Sequence, residues 1–138
     1  MNDVIRIGKV SSVNGCMVRV TYPDRDNSVT AELPVFSFTG EYKMPKVGSQ
    51  VLVVHLSNGT SAGVCLGNYW NDSNRPAVSS GFRKELGDST GEAYIECSGG
   101  KVTIHASQII LDAPTNINGI SFGSHTHTGA HGETSGPH

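Results

Sequence analysis

Between residues 16 and 22 apolar positions alternate with others, with Val18 and Val20 on one side of the alternation and Met17, Arg19 and Thr21 on the other. A period of two marks a strand with one buried face, because successive side chains of extended chain point to opposite sides. The pattern predicts a strand over 6–14, a return strand over 16–22, and a type I′ turn at Asn14-Gly15, where both residues tolerate positive φ. Further strands are predicted over 29–33, 50–56 and 61–66, with a turn at Ser57-Asn58-Gly59. Residues 34–48 form a long connection carrying Phe36, Phe38, Tyr42 and Pro45. Five short antiparallel strands with a long connection after the third fit a small, partly open Greek-key barrel of the OB type.

After Trp70 the pattern changes. Asn71-Asp72-Ser73-Asn74-Arg75-Pro76 is rich in loop formers and marks a boundary. Very short strands are predicted beyond it over 93–96, 101–105, 108–112 and 115–118, each bounded by Gly, Ser, Pro or Asp. Their apolar centres, Ile95, Val102 with Ile104, Ile109 with Leu111, and Ile117, recur at a short, regular spacing, the cadence of a stacked β-structure with one rung per repeat. Each rung buries too few side chains to fold alone and leaves its edges unpaired. Three chains wound about one axis would turn the inward-pointing side chains into a shared core and the edges into ladders. A solvated linker fits poorly, since the strand centres are β-branched and regularly spaced. The expected division is an all-β chain with an OB-fold base at 1–75, a trimeric intertwined β-helix shaft at 76–118 and a His-rich apex at 119–138.

Composition agrees with strands and turns. The 138 residues include 17 glycines and 6 prolines, and no window sustains an apolar period near that of a helix. With a net charge of -2 and basic residues scattered singly, no stripe exists for a polyanion, so nucleic acid is not an expected partner. Cys16, Cys65 and Cys97 are odd in number and far apart, which argues against a disulfide framework or a zinc ribbon. They read as small apolar strand residues of a protein made in a reducing cytoplasm. The first residues lack the basic and apolar regions of a secretory signal, and the apolar run 51–54 is far too short to span a bilayer.

Four of the six histidines fall in the last fourteen residues, and the closest pair, His125 and His127, has the spacing His-x-His. In an extended strand these side chains share a face roughly 7 Å apart, so both imidazoles can turn toward one point. Two imidazoles are too few for a transition metal, which takes four to six donors. In a parallel trimer ending on its axis, six nitrogens would suit octahedral iron or nickel better than tetrahedral zinc, and the ion would be a clasp without a vacant position. In a monomer or dimer, Glu133 with His131 or His138 could complete a site with open positions, as in sites that activate oxygen or water. The first arrangement is a structural tip and the second an enzyme.

The segments Gly8-Lys9-Val10-Ser11-Ser12-Val13, Val18-Arg19-Val20-Thr21-Tyr22-Pro23-Asp24, Leu33-Pro34-Val35, Pro45-Lys46-Val47-Gly48-Ser49-Gln50-Val51-Leu52-Val53, Gly63-Val64-Cys65-Leu66-Gly67 and Ile117-Asn118-Gly119-Ile120, followed by Ser124-His125-Thr126-His127, run through nearly the whole chain. In order and spacing they resemble the baseplate assembly protein V family, the central spike of contractile phage tails and related tail-like injection particles. The resemblance implies an OB base joined to baseplate hub or tail tube proteins, a trimeric β-helix shaft, and a tip that binds iron through the His-x-His of all three chains. By that resemblance His125 and His127 are the ligands, and the target cell envelope is what the point meets when the sheath contracts. The extra histidines His131 and His138 depart from the bare motif. No enzymatic module is expected, no small-molecule substrate is implied, and penetration would be mechanical.

Two rival readings remain at this level. One is a cupin-like metalloenzyme using the His-x-His and Glu133, although the spacing to Glu133 is too long and the chain stops where further strands would follow. The other is an OB-fold ligand-binding module in which Tyr22, Phe36, Phe38, Tyr42 and Trp70 stack on a base or sugar. Most of these aromatics read better as core because no basic groove accompanies them, although the 34–48 connection is a candidate partner surface. His55 and His105 lie within strand patterns and read as ordinary half-buried residues.

Overall fold

Residues rich in Val, Ile and Thr at alternate positions favour extended chain, and the computed structural model of the protein is all-β. It describes residues 4–56 and 62–123 in full, together with the backbone of 127–129 and 132–134. Among the described residues the only helical element is a 3-10 turn, Pro23–Arg25, and no helix is long and apolar enough to cross a membrane. The chain divides into two compact units, Met1–Pro76 and Ala77–His138.

In the first unit, β1 (Ile5–Asn14) pairs antiparallel with β2 (Met17–Tyr22) on one side and with β5 (Gln50–His55) on the other. β2 also pairs with β3 (Ser28–Val29) and β4 (Leu33–Pro34), and β5 pairs with β6 (Gly63–Asn68). The circuit closes just after β4, where Val35 makes a parallel bridge to Cys65 of β6 and the Phe36 N–H donates to the Cys65 carbonyl at 2.8 Å. Alternation does what the pattern predicts. Val18, Val20 and Tyr22 of β2 point inward with Val10, Leu33, Val51, Val53 and Cys65, and these eight side chains form the buried core.

Local chemistry explains where the elements depart from expectation. Asn14 pairs directly with Met17, so the hairpin loop is Gly15-Cys16, and only Gly15 has positive φ, at 60°. That is the pattern of a type II′ turn with glycine first, one residue later than predicted. The expected strand 29–33 is split because Thr30 is buried and its hydroxyl takes over a ladder position. Its Oγ1 accepts from the Val20 N–H at 3.0 Å and donates to the Ala31 carbonyl at 2.7 Å. The predicted turn at 57–59 lies outside the described residues.

The second unit contains a meander of β7 (Phe82–Glu85), β8 (Tyr94–Ser98) and β9 (Lys101–His105), all antiparallel. The highly charged β7 was not predicted. Residues 108–112 form no strand, contrary to expectation, because no neighbour pairs with them, and Ile109, Ile110 and Leu111 are exposed. Two small hairpins follow: β10 (Asn116–Ile117) with β11 (Ile120–Ser121), and β12 (His127–Gly129) with β13 (Gly132–Thr134). In the first hairpin Asn118 and Gly119 both have positive φ, so the type I′ turn stands here rather than at Asn14-Gly15. From 77 to 123 not one residue is fully buried.

Candidate functional site

The register of the β7–β8–β9 sheet sorts its side chains onto two faces. Phe82 pairs with Cys97 and Cys97 with Val102, while Lys84 pairs with Ile95 and Ile95 with Ile104, so all six residues share one face. Arg83, Glu85, Tyr94, Glu96, Thr103 and His105 share the other.

The second face is closed by its own chemistry. Arg83 donates from Nε to Glu85 Oε2 at 3.1 Å and from Nη2 to Oε1 at 3.0 Å, and its Nη1 lies 3.6 Å from Glu96 Oε2. The guanidinium lies 3.6 Å from the centre of the Tyr94 ring, which stacks in turn on His105 with centroids 5.0 Å apart. Glu85 Oε1 also accepts the Gly91 N–H at 2.8 Å, which ties the β7–β8 loop to the network. On the first face Val102 and Ile104 are 68% and 55% exposed. The sheet is thus polar and internally paired on one side and, apart from Lys84, apolar and largely exposed on the other. Further along the chain Ile109, Leu111, Ile117 and Ile120 are exposed as well.

Of the sequence-predicted metal ligands, His125 lies outside the described residues, as do His131 and His138. His127 opens β12 in extended backbone, with Thr134 as its register partner, while Glu133 stands opposite Thr128.

The other candidates fall into place in the first unit. His55 is 3% exposed, more deeply buried than expected, and both of its ring nitrogens are engaged. Nδ1 lies 3.1 Å from the Ala62 carbonyl, which can only accept, so Nδ1 carries the proton. Nε2 is then free to accept from the Tyr22 hydroxyl at 2.6 Å. Burial pushes the Tyr22 hydroxyl up to about 12, with nearby Arg6 pulling in the opposite direction. Arg6 lies over the Tyr22 ring, its guanidinium carbon 4.2 Å from the centroid. This buried trio was not predicted. Its signal was the polar Arg6, Tyr22 and His55 at inward positions of otherwise apolar strands.

Tyr22 is therefore core and cannot stack on a ligand. The remaining aromatics correct the core reading: Phe36, Phe38, Tyr42 and Trp70 are all exposed. Phe36 meets Phe38 edge to face with centroids 4.8 Å apart, and Phe38 and Thr39 both adopt left-handed backbone at φ 43° and 64°. Cys65 is buried as expected, which raises its thiol pKa, whereas Cys16 and Cys97 are exposed. No protein-family model matches the chain, and a search of curated proteins finds none that matches.

Proposed function

We propose that the chain is the central spike of a contractile phage tail or a tail-like injection particle. It acts as a homotrimer whose base joins hub or tube proteins, whose second unit forms the shaft, and whose apex is pinned by one iron ion. Six imidazoles, His125 and His127 of three chains, hold that ion, and the point is driven mechanically through the target envelope with no catalytic step.

The observation that carries this reading is the contrast between the two units. All eight core residues lie between Val10 and Cys65, while residues 77–123 bury nothing fully and expose Phe82, Val102, Ile104, Ile109, Ile110, Leu111, Ile117, Ile120 and Phe122. A segment with regular strands and no core of its own gains one when copies face each other across an axis. Residues 108–112, with an apolar centre and no strand partner among the described residues, are where a neighbouring copy would supply the ladder of an intertwined β-helix. The base is read as an OB barrel because its pairings run from β1 through β2, β4, β6 and β5 back to β1, with the parallel contact between β4 and β6.

Absolute mass by light scattering, measured together with elemental analysis, tests the reading. The expected result is a trimer carrying about one iron per three chains. A monodisperse monomer at micromolar concentration removes the spike, and zinc at one per chain would favour a metalloenzyme. Replacing both His125 and His127 by Ala should abolish the metal while the mass stays trimeric, because the ion is remote from the shaft core. Metal retained by that variant would move ligation to His131 and His138.

A further inference from the structure

The wall of the first unit contains a guanidinium whose hydrogen bonding is incomplete. The Arg6 side chain is 8% exposed, and its Nη2 is buried without a hydrogen-bond partner. Asp24 Oδ1 stands 3.6 Å away, beyond hydrogen-bond reach, on a side chain that is itself 72% exposed. A buried charged donor left unmatched is costly, so the arrangement calls for an acceptor that the described residues do not supply.

Arg6 also lines a shallow cleft of about 270 Å³ with Ile5, Ile7, Asp24 and Leu52. The cleft opens where β2 leaves β1. The β1–β2 pairing begins at Lys9 and Thr21, and Pro23, which has no N–H to give, turns the chain into the 3-10 segment. Ile5 and Ile7 remain 63% and 52% exposed beside it.

We infer that this cleft is a binding site for a carboxylate carried on an apolar stem. Its natural occupant is an acidic side chain or chain end, flanked by apolar residues, of a protein partner that docks on the base. A carboxylate matches the planar fork of arginine and can take two of its donors at once. The isoleucines and Leu52 select for the stem, because a small, fully hydrated anion would leave them in water. Asp24 acts as a weak internal competitor that holds the guanidinium until the partner's carboxylate displaces it. The site belongs to the base alone, so its failure would leave the mass and metal predictions for the spike untouched.

The test uses the full-length protein with hexanoate as the probe, and hexanamide and inorganic phosphate as controls, followed by the methyl resonances of Ile5, Ile7 and Leu52. Hexanoate should give saturable shifts with Kd of about millimolar, at least about tenfold tighter than either control. Asp24→Asn should strengthen hexanoate binding about threefold or more by removing the competitor. Arg6→Met should abolish it. Should R6M not fold, Ile7→Ser, a change at an exposed position, should weaken hexanoate severalfold and leave phosphate unaffected. Equal binding of phosphate, absence of saturation, or weaker binding by D24N would each overturn the proposal.

Discussion

Ile104→Ser separates a lone second unit from a shared one. Ile104 is 55% exposed within one chain, on the sheet face that also bears Phe82, Ile95 and Val102. If the chain acts alone, the substitution touches a surface position and should change stability by no more than about 0.5 kcal/mol. If three copies cover that face, the exposed half of each isoleucine is buried on assembly. Full burial of such a side chain contributes about 1.5–3 kcal/mol, so the exposed 55% of it in each of three chains gives roughly 2.5–5 kcal/mol per trimer. That corresponds to roughly a hundredfold to several-thousandfold in the association constant. The midpoint concentration for dissociation varies as its square root and should rise roughly ten- to sixtyfold. Sedimentation equilibrium across a dilution series measures this directly, with Thr103→Ser on the opposite, polar face as the control. A variant with the parent's mass and midpoint at every concentration would refute the argument that this face is covered.

Tyr22→Phe leaves the buried His55 Nε2 without its donor, a loss of about 1–3 kcal/mol that thermal unfolding should detect. The same residue sets an alkaline limit. The folded chain holds the Tyr22 proton up to about 12, whereas the unfolded chain releases it near 10. In that window the unfolded state binds fewer protons, so the contribution is whole below pH 10 and falls as pH rises toward 12. Y22F should flatten this part of the stability curve; an identical slope in both proteins would dismiss the assignment. Gly8→Ala should destabilise the base by about 1–3 kcal/mol or more, because the new Cβ would lie 2.5 Å from Val20 Cγ1 and 2.8 Å from Tyr22 Cδ1. Denaturant titration of G8A checks this, and an unshifted midpoint would show that the ring can move aside.

The base was largely legible because alternation alone decides which side of β2 meets the core, and Val18, Val20 and Tyr22 obeyed it. Turn chemistry was less legible. Asn-Gly occurs three times, and of the two pairs among the described residues only Asn118-Gly119 takes positive φ at both positions, since at Asn14 the strand runs one residue further. β7 was invisible because Arg83, Lys84 and Glu85 carry no apolar period; what holds the strand is cross-strand pairing to Glu96 and Tyr94, which no local pattern reveals. Residues 108–112 had the opposite fault, a strong strand composition with no strand partner among the described residues. The exposure of Phe36, Phe38, Tyr42 and Trp70 was missed because aromatic content speaks of burial without saying whose surface provides it. The Arg6, Tyr22 and His55 trio needed the sheet closed before three distant inward positions could meet.

The confinement of every fully buried apolar side chain among the described residues to Val10 through Cys65 has a kinetic corollary. The amino-terminal half can mature as soon as it leaves the ribosome, at a rate indifferent to how many sister chains are present. On the spike reading, the half that follows must wait for encounters, so its maturation accelerates with the abundance of newly made polypeptide. Until those encounters occur, its naked strand edges are the part of the molecule most prone to sticking in the wrong place.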